Sequence, residues 1–313
     1  MNWIKQGKIF SVNKNFGWMC SHAQIPTILV LKDRLRVYFS TRKIKTESKI
    51  AFVDLDLNDP KKIIYLHKKP ILSKGKKGTF DENGVMPSCV IKRKKKIFLY
   101  YSGWSRSSAY PYTNLTGLAI SEDNGITFKK IKNNPILNIT DKEQYSATSP
   151  FVILEKGVFH MFYCSGTNWI RIKNNLEHTY NIKHCISTNG INFNQTGEIA
   201  IKTKDKFEAI TRPVIIKNKK HFHMFFCHRG SKDFRDGKNS YKIGYAFSPN
   251  LKKWFRKDKK VGIDLSDTGW DSKMLAYPYL IKTVNGICMF YNGNGFGQTG
   301  FGYAILKENK INV

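Results

Sequence analysis

The sequence predicts an all-β fold, a single domain over residues 1–313 built as a five-bladed β-propeller of four-stranded antiparallel blades. Three observations lead there. Five prolines (Pro26, Pro87, Pro150, Pro213 and Pro278) stand 61, 63, 63 and 65 residues apart, and a fixed period of this kind marks stacked repeats. An aromatic triplet closes 14 or 15 residues after each proline: Tyr38-Phe39-Ser40, Tyr100-Tyr101-Ser102, Phe162-Tyr163-Cys164, Phe225-Phe226-Cys227 and Phe290-Tyr291-Asn292. The fifth repeat ends near Leu306 with little chain left for a fourth strand, and Trp3–Phe10 is free to supply it. Closure by the N-terminal segment leaves no unpaired sheet edge.

Within each repeat the first strand follows the proline, as in Thr27–Val30, Ser88–Ile91, Phe151–Leu154, Val214–Ile216 and Tyr279–Ile281. These β-branched, apolar runs suit buried strands. A basic or glycine-containing turn precedes the second strand, which ends on the triplet. Third strands read at Ile50–Val53, Gly117–Ser121, Lys183–Ser187, Ile243–Ser248 and Phe301–Ile305. The run Ser121–Phe128 resembles the Asp-box hairpin of sialidase-type propellers, with Phe128 in place of the usual tryptophan, and Asn189–Phe193 is a shorter version. Asn-Gly at such a turn tolerates positive φ, so the box is a folding element and not a site.

Composition narrows the function. The start of the chain lacks the apolar core of a signal peptide, and no apolar run is long enough to span a bilayer, so a cytoplasmic protein is expected. The six cysteines show no CxxC spacing, and Cys164 and Cys227 recur at equivalent positions, which suits buried thiols in a reducing compartment. The formal charge of +30 admits an acidic partner, but the runs Lys92–Lys96 and Lys217–Lys220 fall at expected hairpin tips, where they are solvated. His221, His223 and His228 lack a carboxylate or cysteine at a zinc spacing, so no metal is expected. No phosphate-binding P-loop or dinucleotide fingerprint calls for a cofactor. Without organised stacking platforms, nucleic acid is not the expected partner either.

In a propeller the loops before the first strands and after the second strands converge on one rim. That places His22, Asp81, Glu82, Tyr145, Glu208, Arg212, Asp271 and Tyr277 beside Arg42, Trp104, Trp169, His228, Arg229, Asn292 and Asn294. Convergent polar groups over an axial funnel make a default site.

Four segments resemble a known group: Ser21-His22-Ala23-Gln24, Gly84-Val85-Met86-Pro87-Ser88, Gly269-Trp270-Asp271-Ser272, and Tyr291-Asn292-Gly293-Asn294-Gly295-Phe296-Gly297. The pattern is similar to the five-bladed propeller superfamily containing glycoside hydrolase families 43, 32, 68 and 130. More narrowly, it resembles uncharacterised glycosidase-like proteins of bacterial surface-polysaccharide biosynthesis. The resemblance implies carbohydrate chemistry, with Glu208 opening the fourth blade as general acid and Asp271 or Asp81 as the second carboxylate. His22 stands where those hydrolases carry an aspartate, and Tyr145–Ser149 lacks their third-blade carboxylate. Hydrolysis needs two carboxyls roughly 5 Å apart for retention or 6.5–9.5 Å for inversion.

Two other readings stay open. One is glycosyl transfer or phosphorolysis with a phosphate-bearing sugar or nucleotide-sugar donor, in which His22 is the base and Arg42, Arg212, Arg229 and Arg235 clamp the phosphate. The other is glycan binding without catalysis, with Trp104, Trp169 and Tyr277 stacking on sugar faces and the carboxylates only accepting hydroxyl hydrogen bonds.

Overall fold

The computed structural model describes residues 1–13, 16–43, 47–284, 286–308 and 311. The fold is all-β. Strand β1 (Trp3–Phe10) is followed by a unit of β2 (Ser21–Val30), β3 (Arg34–Arg42), β4 (Ser48–Asp56) and β5 (Ile63–Leu66). The second unit is β6 (Gly84–Arg93), β7 (Lys96–Ser105), β8 (Thr113–Ser121) and β9 (Lys129–Lys130). The third is β10 (Ser146–Glu155), β11 (Val158–Ile172), β12 (Asn175–Ser187) and β13 (Asn194–Ile201). The fourth is β14 (Ala209–Lys217), β15 (Phe222–Arg229), β16 (Lys242–Ser248) and β17 (Phe255–Arg256). The last holds β18 (Ala276–Thr283), β19 (Gly286–Asn292) and β20 (Phe301–Leu306), and β1 pairs antiparallel with β20 through Trp3↔Leu306 to Phe10↔Phe301.

Short parallel bridges, Ser48↔Gly84 and Ser146↔Asn114, join the first three units into one long sheet, while the fourth and last units form separate sheets. The first strands touch in sequence, β2 with β6, β6 with β10, β10 with β14 and β14 with β18, and β18 in turn touches β2. Being covered on both faces, these strands read as near-continuous apolar runs. The triplets supply the layer behind them: Tyr38, Phe39, Tyr100, Tyr101, Phe162, Tyr163, Phe225, Phe226, Phe290 and Tyr291 are all fully buried.

The turn device found in the sequence works as expected. Asp123 Oδ1 accepts the backbone N–H groups of Ile126 and Thr127 at 3.1 and 3.0 Å, and Asn189 Oδ1 accepts those of Ile191 and Asn192, both at 2.9 Å. Each turn is also gripped by the preceding unit, Tyr38 Oη donating to Gly125 O and Tyr100 Oη to Gly190 O, both at 2.8 Å. The cysteines are free thiols, and burial pushes Cys164 and Cys227 up to about 12.

Candidate functional site

The prolines that set the sequence period mark a bulge. The register of every first strand slips there, between Gln24 and Thr27, Pro87 and Cys89, Thr148 and Phe151, Thr211 and Val214, and Ala276 and Tyr279. In four of the five, the residue before proline is left-handed: Ile25 (φ 61°), Ser149 (φ 50°), Arg212 (φ 58°) and Tyr277 (φ 54°). A non-glycine residue in that region costs on the order of 1–3 kcal/mol and is retained where its surroundings over-determine it.

The surroundings are visible. The Ser149 N–H donates to Ser102 Oγ at 3.0 Å, the Tyr277 N–H to Cys227 Sγ at 2.8 Å, and the Ile25 N–H to Asn292 Oδ1 at 2.7 Å. The last residue of a triplet therefore catches the bulge of the following unit. A bulge re-aims its side chain, and Ile25, Met86, Ser149 and Tyr277 are thereby aimed at a common cavity.

That cavity has a volume of about 790 Å³. Its floor is the row of bulges. One wall is the far end of the long β11–β12 hairpin, with Arg171, Glu177, His178 and Tyr180, and another is the loop after β15, with Phe234, Arg235 and Tyr241. Arg42 and Arg229 complete the cationic lining.

Four arginines thus face one carboxylate, Glu177. That carboxylate is already engaged by Arg235, whose two terminal nitrogens donate to it at 2.7 and 3.1 Å. Among the described residues neither Arg42 nor Arg229 has a carboxylate partner. Arg42 donates to Gln24 Oε1 at 2.9 Å. Arg229 donates to the carbonyls of Gly230 and His178, both at 2.8 Å, and lies 3.6 Å over the Phe234 ring. Tyr180 and Tyr241 hydrogen-bond to each other beside it.

Burial and the Arg229 charge hold His178 down at about 3, so its imidazole is neutral. It stacks on Trp169 at 4.2 Å, and Trp169 stacks on Tyr110 at 5.6 Å. Asn114 Oδ1, Ser146 Oγ, Thr148 Oγ1 and His178 Nε2, all on lining residues, have no hydrogen-bond partner among the described residues.

The wall is close-packed. A Cβ on Gly166 would lie 2.3 Å from His178 Nε2 and 2.7 Å from Ser146 Oγ. Gly166→Ala is expected to cost about 1–3 kcal/mol by overpacking, read as a lower midpoint in thermal unfolding. An unchanged midpoint would show that the wall yields.

Of the residues singled out from sequence, the structure brings Arg42, Arg229 and Tyr277 to the cavity, with Arg235 on its wall and Trp169 stacked behind His178. The carboxylates require correction, because Asp81, Asp271 and Glu208 do not line it. Asp81 accepts from Tyr101 Oη at 3.0 Å and pairs with Lys130 at 2.6 Å. Asp271 accepts from Tyr291 Oη at 3.0 Å and pairs with Lys5 at 2.8 Å. Glu143, not anticipated, does the same with Tyr163 at 2.9 Å and Lys183 at 3.1 Å. Each carboxylate latches the entry of a first strand to the rest of its own unit.

In the fourth unit Phe226 has no hydroxyl, and Arg256 grips Glu208 through two nitrogens at 2.8 and 2.6 Å. Burial raises the Glu208 pKa, but the Arg256 hydrogen bonds and the Lys204 N–H outweigh it and hold the carboxyl below its ordinary value. A general acid must keep its proton near neutral pH, and the Arg256 ion pair opposes that in this arrangement.

The remaining candidates also have structural partners. Arg212 is fully buried and reaches across the axis to the Ser88 carbonyl and hydroxyl and to Thr27 Oγ1, the last two at 2.9 Å. His22 bonds Ser21 Oγ at 2.9 Å, and burial with the nearby Arg42 charge lowers its pKa to about 4, so the imidazole is neutral near pH 7. Glu82 accepts the Gly78 N–H at 2.6 Å, Trp104 Nε1 donates to Ser48 Oγ at 3.0 Å, and His228 Nδ1 lies 3.8 Å from Glu208. Asn292 Nδ2 donates to the Ala23 and Gly300 carbonyls at 2.7 and 2.8 Å. Asn294 Oδ1 accepts the Lys273 and Met274 N–H groups at 2.7 and 3.1 Å.

Sequence reasoning missed Tyr112, Arg171, Glu177, His178, Tyr180, Phe234 and Tyr241. The available signal was the alternation Trp169-Ile170-Arg171-Ile172 before Lys173-Asn174, which reads as a hairpin running beyond the repeat.

The comparisons with known proteins agree with this frame. Over 310 residues, 98% of its length, the chain is 32% identical to an uncharacterized protein of Mycobacterium tuberculosis, all of which is covered. A thermostable family-43 glycoside hydrolase shares the fold with a TM-score of 0.66 and 17% identity, over 93% of this chain and 90% of that one. The Bombyx mori GH32 beta-fructofuranosidase BmSUC1 does so with a TM-score of 0.66 and 13% identity, over 95% of this chain and 61% of its own. The family described as glycosyl hydrolases family 32 N-terminal domain matches residues 61–271. With that match running from the last strand of the first unit through the next three units and into the entry of the last, the chain belongs to the glycosyl hydrolases family 32 N-terminal domain family.

Proposed function

We propose that this protein is a five-bladed β-propeller of glycoside-hydrolase type whose axial cavity binds a carbohydrate carrying a phosphate, as in a sugar phosphate or nucleotide sugar. The blade count is supported by the circuit of first-strand contacts that returns from β18 to β2, and by the bulge hydrogen bond from Ile25 to Asn292. The observation that carries the ligand is the pair Arg42 and Arg229, two cationic groups lining the cavity without a carboxylate. Desolvated charges without a counter-charge are costly, and an anionic substituent supplies one in the planar geometry that guanidinium groups read best. Tyr277, Tyr241 and Phe234 offer faces for a sugar or base.

Hydrolysis by two carboxylates is not supported, since Glu177 is the one acid of the lining and Arg235 holds it. If the protein turns its ligand over, transfer from a phosphate-bearing donor suits this lining better. The resemblance to proteins of surface-polysaccharide biosynthesis is compatible with such a donor.

Calorimetry with glucose, glucuronic acid, glucose 1-phosphate and UDP-glucose tests the reading. The phosphate-bearing compounds are expected to bind, with affinity falling as salt rises. Arg42→Ala should weaken them about 10- to 100-fold, the value of a charged hydrogen bond. Glu208→Gln should leave the affinity unchanged. Binding of neutral sugars alone, or no loss in Arg42→Ala, would sink the proposal.

A further inference from the structure

The end of the molecule opposite the cavity carries a second surface. All five first strands begin at the cavity and run away from it, so the turns between first and second strands gather at the far end of the axis. Residues 31–34, 92–96, 155–157, 217–221 and 282–284 of those turns hold twelve lysines and arginines against two acids, Asp33 and Glu155. The outer turns, at 56–62, 122–125, 188–190, 249–253 and 307–308, are balanced, with five basic and five acidic residues. The excess charge is therefore concentrated about the axis. Lys94, Lys95, Lys219 and Lys220 are exposed and pair with no carboxylate among the described residues.

The same turns present apolar side chains to solvent. Val30 is 46% exposed, Leu154 57% and Val284 79%. Beside them lies a groove of about 620 Å³ with Ile216 and Ile287 on its floor and Lys217, Lys219, Lys220 and Lys282 on its rim. Solvated lysines alone would need no partner. Protruding aliphatic groups set among unpaired cations are the combination that seats a protein in a headgroup layer, the apolar groups entering it while the cations meet anionic lipid. A nucleic-acid reader would instead offer aromatic platforms, and these turns expose none among the described residues. No described helix is long and apolar enough to cross a membrane, so contact through this end would be peripheral.

We propose that this axial end docks on an anionic phospholipid surface and holds the cavity facing away from it. The proposal stands independently of the ligand assigned to the cavity.

Co-sedimentation of the full chain with phosphatidylcholine vesicles, with and without phosphatidylglycerol, tests it. The protein is expected to pellet with the mixed vesicles and to stay in solution with phosphatidylcholine alone. Two variants divide the contributions: Lys94→Glu with Lys95→Glu, Lys219→Glu and Lys220→Glu, and separately Leu154→Asp with Val284→Asp. Each set should lower the partition at least about tenfold, given the surface potential acting on each lysine and the loss of apolar insertion. All of these positions are exposed, so thermal midpoints should hold, and a variant whose midpoint falls is replaced by alanines at the same sites. Failure to pellet with phosphatidylglycerol vesicles overturns the proposal, as does an unchanged partition in either variant. Preferential binding to a single-stranded RNA that displaces the vesicles overturns it in favour of a nucleic-acid partner.

Discussion

Arg212→Ala is expected to lower the unfolding free energy by about 3–5 kcal/mol. The mechanism has two parts. The guanidinium is fully buried and satisfies the Ser88 carbonyl and hydroxyl and Thr27 Oγ1, with the Pro26 carbonyl at 3.5 Å. Truncation leaves those acceptors dry, at about 1–3 kcal/mol for each one that finds no substitute. It also opens a cavity beside Tyr279, over whose ring the guanidinium lies at 5.6 Å. Because Arg212 springs from one unit and bonds two others, its loss loosens the axis and not a single hairpin. Arg212→Lys should recover little, since one ammonium cannot span Ser88 and Thr27 together. Urea unfolding gives the answer: the midpoint should fall with an unchanged slope. A shift of less than about 1 kcal/mol would mean that water replaces the guanidinium without cost.

Glu143→Gln should be nearly as damaging, at about 3–5 kcal/mol, because it strips a buried ammonium of its counter-charge. Glu143 is fully buried and receives Tyr163 Oη at 2.9 Å and Lys183 Nζ at 3.1 Å, with Thr140 also donating. Burial pushes its pKa up, but these donors prevail and hold the carboxyl below its usual range. A carboxylate with a lowered folded value contributes stability that is fully present above its unfolded value of about 4.3 and is lost as pH falls through the folded value. The difference in unfolding free energy between Glu143→Gln and the native protein should therefore be widest at neutral pH and close on acidification below about pH 4. A gap independent of pH would show that packing, and not charge, is what the substitution disturbs.

The repeat was legible because its causes are local. A proline-marked bulge and a triplet that catches the next bulge each fit within a few residues, and their recurrence makes the period. The cavity was legible at Arg42, Arg229 and Tyr277, which sit at the ends of repeated strands, and at Arg235 in the loop after β15. Glu177, His178 and Tyr180 escaped because they lie on the part of the β11–β12 hairpin that exceeds the repeat. The misreading of Asp81 and Asp271 has another cause. A carboxylate in a polar loop before a proline looks the same whether it serves a ligand or a latch. The distinguishing sign was present but long-range: Asp81 and Tyr101, Glu143 and Tyr163, and Asp271 and Tyr291 are each 20 residues apart. Catalytic acids have no reason to repeat at a fixed distance from a core tyrosine in successive units, whereas structural latches do. Arg212 deceived for a third reason: it shares the left-handed bulge position of Ile25, Ser149 and Tyr277, which line the cavity, yet its side chain is taken up by Ser88 and Thr27 of two other units.

The pairing of β1 with β20 has a consequence for how the protein is made. Trp3 and Leu306 are partners far apart in the sequence, so the sheet they complete cannot form until β20 has been synthesised. Contacts of such long sequence separation are slow to establish, and until then the leading segment and the edge of β20 are exposed strands able to pair with another chain. Closure of that sheet should therefore be a late step of folding, and crowded synthesis at high temperature should divert the chain to aggregates before it.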